Sequence, residues 1–212
     1  MTEYPEIKSA LQLLDIHYET FYRAEPLARQ TDHPVPVDTR AWSQILVSVL
    51  CGVKGLKRKK GTDLADGSDI KGANTWEAID TPRFNGVIKA GTQAATAGRI
   101  ESLGGTPHIF LVLWDNAPGT RNPRCRVWCV RPQSDERFRR MCNKWYEQRR
   151  AGVIRSNNFQ LHPPRNKNSD IIRNTCGVFE YPLLFHAERV EGRYSVVLYD
   201  PDIMKSGLCR EV

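Results

Sequence analysis

The sequence has little of what marks membrane or secreted proteins. Its longest apolar run, ILVSVLCGV at 45–53, is far too short to cross a bilayer. The first residues, MTEYPEIK, lack the basic and then apolar layout of a signal peptide, so a cytoplasmic protein without a membrane partner is expected. The chain of 212 residues has no low-complexity tract and no internal repeat, and its 40% hydrophobic and 26% charged residues indicate a globular protein.

Paired cysteine motifs are also missing. The six cysteines include no CxxC pair and show no disulfide framework. Cys125 and Cys129 are four residues apart, so a regular strand would place both on one face. A zinc site would also need Cys142 or His162, at spacings that match no common finger or ribbon. Scattered reduced thiols are therefore favoured, with zinc as the lesser alternative.

Positive charge is the property present in excess. The formal net charge is +7 and the isoelectric point is about 9.2. Such a chain attracts polyanions, of which nucleic acid is the commonest. Many basic proteins bind no nucleic acid, so charge alone does not decide between these classes.

Apolar spacing predicts two helices before any strand. Pro5 suits the first turn of a helix over 5–29, and the prolines of TDHPVPVD (31–38) exclude its continuation. A second helix is predicted from Thr39 to Cys51, ended by the following glycines. Its core-facing stripe is predicted to consist of Trp42, Ile45, Leu46, Val49 and Leu50.

The remainder predicts a mixed sheet with interspersed helices, and therefore an α/β (α+β) fold. HIFLVLW at 108–114 is typical of a buried central strand, and Ser134 would cap a basic helix over 135–151. The polar residues 157–177 predict a long loop. Further predicted elements are a hairpin with strands near 60–64 and 68–75, a loop at 81–86, a short helix near 92–103, a strand at 124–132, an interrupted strand at 178–185 and a last strand at 193–201.

The segment GTDLADGSDIKGAN (61–74) concentrates three aspartates around a turn. A two-residue loop would leave Asp63 and Asp69 on opposite faces of the hairpin. A three-residue loop with Asp66 inside it and Gly67 left-handed places Asp63 opposite Asp69, and side-chain alternation adds Lys71 to that face. Two carboxylates directly opposite each other are destabilising unless positive charge lies between them. A divalent metal and the Lys71 ammonium are the candidates.

This arrangement suits metal-assisted phosphodiester hydrolysis. Mg²⁺ prefers a couple of carboxylates, waters and phosphate oxygens, and it can activate a water with an ammonium nearby. One alternative is an exposed hairpin whose aspartates only solubilise the turn. Another is a calcium loop, although Gly67 comes one place early for the EF-hand order.

Longer segments add a family resemblance. Asp63…Asp69-Ile70-Lys71 resembles the D…(D/E)xK signature of the PD-(D/E)XK nucleases. KGTDLADGSDIKGANTW, IDTPRFNG, NFQLHPPR and NTCG…PLLFHAE, in that order over about 60–190, are similar to type II restriction endonucleases of the MamI kind. The resemblance implies a restriction-endonuclease-like fold, with a central mixed sheet flanked by helices. It also implies a Mg²⁺-dependent homodimer in a prokaryotic cytoplasm, with Mn²⁺ as a possible substitute, that cuts double-stranded DNA and leaves 5′-phosphate and 3′-hydroxyl ends.

By the same resemblance, Asp63 and Asp69 would bind the metal through their carboxylates and Ile70 through its carbonyl, while Lys71 would position the attacking water. The sequence departs from the family pattern in three ways. Thr62 stands where the proline of the family name is expected. The spacing of the two aspartates is short, which leaves Asp66 as an alternative first ligand. The helix at 39–52 has no acidic residue; Gln44 is its nearest polar analogue, and Glu19 or Glu25 could serve only from further away.

One nuclease domain is expected over 1–212, with N-terminal helices at 1–55, a catalytic sheet region at 56–131, and a basic helix, DNA-contacting loop and last strand at 132–212. Basic residues beside the site would bind phosphates, and the segment HPPRNKNSDIIRN would read bases or grip the backbone. Turn, capping and plainly solvated roles are the alternatives. The predicted DNA-binding residues are Lys57, Arg58, Lys59, Lys60, Asn74, Arg83, Asn85, Arg165, Asn166, Lys167 and Asn168.

Two other functions remain open at this point. A structure-specific DNA repair or recombination nuclease would share the catalytic signature, and a non-catalytic DNA-binding protein would share only the charge.

Overall fold

The structure is a computed structural model that describes residues 4–36, 38–57, 61–76, 78, 81–89, 103–164 and 169–212. The helix predicted near 92–103 falls almost wholly outside the described residues. Within the described part of the chain, no helix has both the length and the apolar character needed to span a bilayer.

The two N-terminal helices are confirmed. Helix α1 spans Pro5–Gln30 and has its proline in the first turn. Helix α2 spans Arg40–Cys51 and ends at Gly52, whose φ of 70° only glycine adopts readily. The predicted apolar stripe of α2 is partly wrong, because Ile45 is 50% exposed. The buried face is centred instead on Ser43, Leu46, Val47 and Leu50.

Five strands form the central sheet. In their order across the sheet they are β1 (Asp69–Asn74), β3 (Ile109–Asn116), β4 (Pro123–Val130), β8 (Leu183–Val190) and β9 (Arg193–Tyr199). Strand β1 runs parallel to β3, whereas the other neighbours are antiparallel. The sheet is therefore mixed, as predicted, and β1 forms one of its edges.

One further long helix and several smaller elements surround this sheet. Helix α3 spans Glu136–Arg150, and its buried residues include the predicted Phe138, Met141, Cys142 and Trp145. The predicted cap is wrong by one residue, since Asp135 accepts the Phe138 N–H at 3.1 Å. The remaining elements are β2 (Phe84–Lys89), β5 (Asn158–Leu161), β6 (Ile171–Asn174), β7 (Gly177–Glu180), α4 (Ile203–Ser206) and β10 (Arg210–Glu211).

Three predictions of irregular structure are corrected. The predicted loop 157–177 contains β5 and β6, and β2 begins inside the predicted loop 81–86. Strand β5 pairs with β2, and β6 pairs with β7, which pairs with β10. A strand also follows 193–201, so β9 is not the last. Strands β2, β5 and β6 each have buried apolar residues, but these segments are too short or too polar for a clear alternation.

Each face of the central sheet packs into its own core. Phe110, Val112 and Trp114 of β3 pack on the side of α1 and α2, together with Cys125 and Cys129 of β4. The alternate residues of β3 and β4 pack on the other side against α3, β2 and β5. Helices therefore flank a central mixed sheet, which confirms the predicted α+β class. All six cysteines are free thiols, as expected.

Candidate active site

The aspartate-rich segment forms a tight turn that leads into β1. The Leu64 N–H donates to the Ser68 carbonyl at 3.1 Å, and the Gly67 N–H donates to the Leu64 carbonyl at 3.1 Å. Gly67 has a φ of 93°, and a Cβ there would lie 2.8 Å from the Gly105 carbonyl oxygen. The predicted three-residue loop and its left-handed glycine are therefore confirmed.

The two-stranded hairpin predicted around this turn is wrong. The described residues 61–64 form no strand with 68–75; instead, Leu64 makes an isolated bridge to Gly55, and the Leu56 N–H donates to the Asp63 carbonyl at 2.8 Å. Strand β1 pairs with β3. A buried strand distant in the sequence is a better partner for β1 than the short polar segment before the turn.

Asp66 and Asp63 have separate environments. The Asp66 carboxylate accepts the Ser68 N–H and the Ser68 hydroxyl, both at 2.9 Å, which closes the turn. Asp63 is 8% exposed and lines a groove of about 830 Å³, whereas Asp66 is not among the residues that line it. The geometry therefore favours Asp63 over Asp66 as a ligand.

Asp63, Asp69 and Lys71 come together in this groove. The Lys71 Nζ lies 2.7 Å from the Asp69 Oδ2, and both side chains are about four-fifths buried. Burial raises the pKa of Asp69; the Lys71 ammonium opposes this shift, and the neighbouring Asp63 carboxyl reinforces it. Two carboxyl groups thus share a partly buried site with one ammonium, as the register argument predicted.

The backbone of Ile70 faces the open edge of the sheet beside Asp63. The Asp69 N–H donates to the His108 carbonyl, so alternate residues of β1 direct their backbone groups toward β3. The Ile70 groups then point the other way, and the Ile70 N–H donates to the Asp63 Oδ2 at 2.9 Å. The Ile70 carbonyl, which shares this direction, lies on the carboxylate side of the strand.

Helix α2 supplies two polar side chains that the initial set of predicted site residues omitted. The Gln44 Nε2 donates to the Asp63 Oδ1 at 2.5 Å, and an Arg40 guanidinium nitrogen lies 3.9 Å from the same oxygen. Arg40 and Gln44 are four residues apart and hence share a helix face. This spacing could have identified both residues from the sequence. Only Gln44 was considered there, as the polar analogue of a helix carboxylate.

If Asp63 binds the Mg²⁺ that the family resemblance implies, replacing Gln44 by alanine should lower cleavage about tenfold to a hundredfold, because residues that orient ligand carboxylates typically contribute this much. The loss should appear mainly as a higher Mg²⁺ concentration for half-maximal rate, since Asp63 Oδ1 loses its orienting donor. The Mg²⁺ dependence of the cleavage rate measures this. Gln12→Ala, on an exposed position of α1, is the matched control and should leave the dependence unchanged. An unchanged dependence in Gln44→Ala would contradict the role.

Gly72 allows α2 to approach β1 closely enough for these contacts. A Cβ at Gly72 would lie 2.7 Å from the Ser43 Oγ and 3.1 Å from the Thr39 Oγ1. The Ser43 hydroxyl cannot simply rotate away, because it accepts the Trp114 Nε1–H at 3.0 Å. Helix and strand therefore meet without an intervening side chain.

Gly72→Ala is expected to destabilise the fold by about 1–3 kcal/mol, the usual cost of overpacking. Cleavage should fall as well, since α2 carries Gln44. Urea denaturation measures the first effect. Gly105→Ala, where a Cβ would meet nothing within 4 Å, should change stability by less than about 0.5 kcal/mol. Equal stability of the two variants would show that the close approach is not required.

The opposite wall of the groove comes from β2 and β5. Arg83, Asn85, Asn158 and Gln160 line it together with the carboxylates and Lys71. Asn85 belongs to β2 and not to a loop, which corrects its predicted setting. Asn158 and Gln160 were missed because β5 looked like part of a loop.

The other predicted DNA-binding residues have diverse placements. Lys57 is exposed. It directly follows Leu56, whose backbone N–H donates to the Asp63 carbonyl. Asn74 does not line the groove, and its side-chain oxygen accepts the Trp76 N–H at 2.7 Å. The remaining seven lie outside the described residues: Arg58, Lys59, Lys60, Arg165, Asn166, Lys167 and Asn168.

The donors at this site are hard oxygen atoms. Among the described residues, no group of three or more His, Cys, Asp or Glu side chains could hold a metal ion. Mg²⁺ typically uses only one or two carboxylates and keeps its waters and substrate phosphates. Asp63, Asp69 and the Ile70 carbonyl fit Mg²⁺ or Mn²⁺, whereas the nitrogen and sulfur donors typical of zinc are missing from this set.

Comparisons with known proteins identify the family of this chain. The sequence of the type II restriction enzyme MamI from Microbacterium ammoniaphilum is 34% identical over 166 residues, covering 73% of this chain and 52% of that protein. The chain therefore spans about half the length of this relative. No solved structure matches. The family described as MamI restriction endonuclease matches residues 26–196, which include every residue named above as lining the groove. Because that match covers most of the chain, the chain belongs to the MamI restriction endonuclease family.

Proposed function

We propose that this protein is a type II restriction endonuclease that hydrolyses phosphodiester bonds in both strands of duplex DNA at a specific sequence, with Mg²⁺ as cofactor. The observation that carries the proposal is the convergence of Asp63, Asp69 and Lys71 in one groove. Family membership supports the same chemistry. The net charge of +7 supports a polyanionic substrate.

In this mechanism Asp63, Asp69 and the Ile70 carbonyl would hold the metal. When bound there, the ion would polarise the scissile phosphate and lower the pKa of a water. The raised pKa of Asp69 means that this carboxylate gains from a positive ligand. Gln44 and the Ile70 N–H fix the two oxygens of Asp63, so that the carboxylate is oriented before the substrate arrives.

The Lys71 ammonium orients the attacking water. The Lys71 Nζ lies 2.7 Å from the Asp69 Oδ2, and this ion pair keeps the flexible lysine side chain in the groove. The water oxygen forms a bond to phosphorus, and the bond from phosphorus to the 3′-oxygen breaks. The attacking water releases a proton to solvent and the leaving oxygen takes one from solvent, so the products carry a 5′-phosphate and a 3′-hydroxyl. Arg40 and Arg83 in the same groove supply positive charge for the DNA backbone.

The proposal also covers organisation and location. One nuclease domain over 1–212, acting as a homodimer in a prokaryotic cytoplasm, would place one such groove on each strand of a palindromic site.

Digestion of a sequenced genome with the purified protein and Mg²⁺, followed by sequencing of the cut ends, tests the proposal. Discrete ends that share one sequence motif are expected. Ends scattered without a motif would instead support a structure-specific or nonspecific nuclease. Binding that weakens steeply with salt, without cleavage in Mg²⁺ or Mn²⁺, would support a non-catalytic DNA-binding protein.

A further inference from the structure

The β2–β5 ribbon presents different chemistry on its two sides. Phe84, Ile88, Phe159 and Leu161 are buried in the core shared with α3. The opposite side carries side-chain amides and lines the groove through Asn85, Asn158 and Gln160. An apolar underside thus holds a row of amides beside the proposed catalytic carboxylates.

Two of these amides are fixed against each other. The Gln160 Nε2 donates to the Asn85 Oδ1 at 2.8 Å, although neither side chain is buried. The backbone beneath them is held as well, because the Asn174 Nδ2 donates to the Gln160 carbonyl at 2.6 Å. The amide pair is therefore arranged before any ligand binds.

The pair offers one acceptor oxygen and one donor nitrogen that take no part in the mutual bond. That bond uses one N–H of the Gln160 Nε2 and one lone pair of the Asn85 Oδ1, which leaves the Gln160 Oε1 and the Asn85 Nδ2 for a ligand in the groove. Reversing both amides would leave the same combination, so this conclusion does not depend on how the amides are assigned. Neutral amides neutralise no phosphate charge, whereas a donor–acceptor combination matches a base edge.

Adenine is the base that presents the complementary combination in the major groove. Its N6 amino group donates and its N7 accepts, whereas guanine presents two acceptors there. The major groove also admits a two-stranded β-ribbon. We infer that the Asn85–Gln160 pair reads the major-groove edge of one adenine in each half of the cleaved sequence. This inference rests on the proposed function, since it takes duplex DNA as the ligand of the groove.

The test compares base preference in the intact protein and its variants. A randomised duplex library is cleaved with Mg²⁺, and the cut ends are sequenced for wild type, Asn85→Ala and Gln160→Ala. Wild type should require adenine at one position of each half-site. Both variants should lose roughly tenfold to a hundredfold of discrimination at that position and retain the others. Gln12→Ala, which removes an exposed amide of α1 that does not line the groove, is the matched control and should keep the full motif.

A modified substrate gives a second measurement that needs no variant. Placing 7-deazaadenine at the assigned position removes N7, so wild-type cleavage should fall roughly tenfold or more. Asn85→Ala lacks the Nδ2 donor that would reach N7, so it should respond little to the same replacement. A motif that stays unchanged in both variants, or a rate loss that is equal for all sequences, would overturn the inference; equal loss would indicate a backbone contact.

Selection of bound library DNA in Ca²⁺ separates this inference from the proposed function. Wild type could prefer adenine in bound DNA, lose this preference in the variants, and still not cleave in Mg²⁺. That result would reject the proposed nuclease activity and support adenine recognition by the amide pair. Specific cleavage with an unaltered motif in the variants would reject the readout and keep the nuclease. No binding and no cleavage would reject both.

Discussion

Asp69→Asn is expected to abolish DNA cleavage and, at the same time, to raise the melting temperature of the metal-free protein. The rate should fall about a thousandfold or more, because a bound metal contributes several kcal/mol to the transition state and each 1.36 kcal/mol is a factor of ten. DNA binding without metal should tighten, since a carboxylate that repels phosphate is removed.

The stability gain follows from the pKa of Asp69. Burial raises this pKa above its ordinary value of 3.8, so the folded protein binds the proton more tightly than the unfolded chain does. The free energy of unfolding therefore falls as the pH rises from 3.8 toward the raised pKa, and it stays lower at neutral pH. Asparagine does not titrate and can still accept a hydrogen bond from Lys71.

Thermal melting in EDTA as a function of pH measures this effect. The variant should have a higher melting temperature than wild type at neutral pH. This difference should vanish as the pH falls from the raised pKa of Asp69 to 3.8. Mg²⁺ should stabilise wild type and leave Asp69→Asn unchanged. Asp66→Asn, which keeps an acceptor for Ser68, is the matched control and should resemble wild type in both respects. A variant that melts lower than wild type at neutral pH would contradict the assigned electrostatics.

Lys71→Met is expected to lower the single-turnover cleavage rate roughly a hundredfold or more, because the attacking water loses the group that orients it. The residual activity should also require a higher pH. The Lys71 ammonium opposes the rise in the pKa of Asp69, so its removal raises that pKa further. The acid limb of the plot of cleavage rate against pH therefore moves to higher pH.

Two controls separate the position of Lys71 from its charge. Lys57→Met removes the same charge from an exposed position and should leave the pH profile unchanged. Lys71→Arg keeps a cation beside Asp69, so its acid limb should match wild type, while its rate stays low because a guanidinium cannot replace the compact ammonium. Cleavage by Lys71→Met at the wild-type rate, or with an unshifted acid limb, would refute the role of Lys71.

The local parts of the site were predictable from the sequence. Gly67 must adopt a positive φ and Asp66 can close the turn on Ser68, so the loop length follows from these residue types. Loop length then places Asp63 near Asp69, and strand alternation adds Lys71. The helix before the site was equally predictable, because its apolar spacing over 40–51 is strong.

The nonlocal parts were not predictable in this way. The partner of β1 is β3, with Asp69 opposite Ile109, and no local signal identifies a partner forty residues away. Strands β5 and β6 have four residues each and are flanked by prolines or polar residues, so they resembled a loop. Pairing with β2 and β7 stabilises them, and this pairing brings Gln160 to the groove.

The most direct test of the account measures single-turnover cleavage of a duplex bearing the mapped sequence, across a Mg²⁺ titration, for wild type, Asp63→Asn and Asp66→Asn. Wild type and Asp66→Asn should cleave with the same Mg²⁺ dependence, and neither should cleave in EDTA. Asp63→Asn should not cleave at any Mg²⁺ concentration. Cleavage by Asp63→Asn at the wild-type rate, or a loss confined to Asp66→Asn, would contradict the proposed centre.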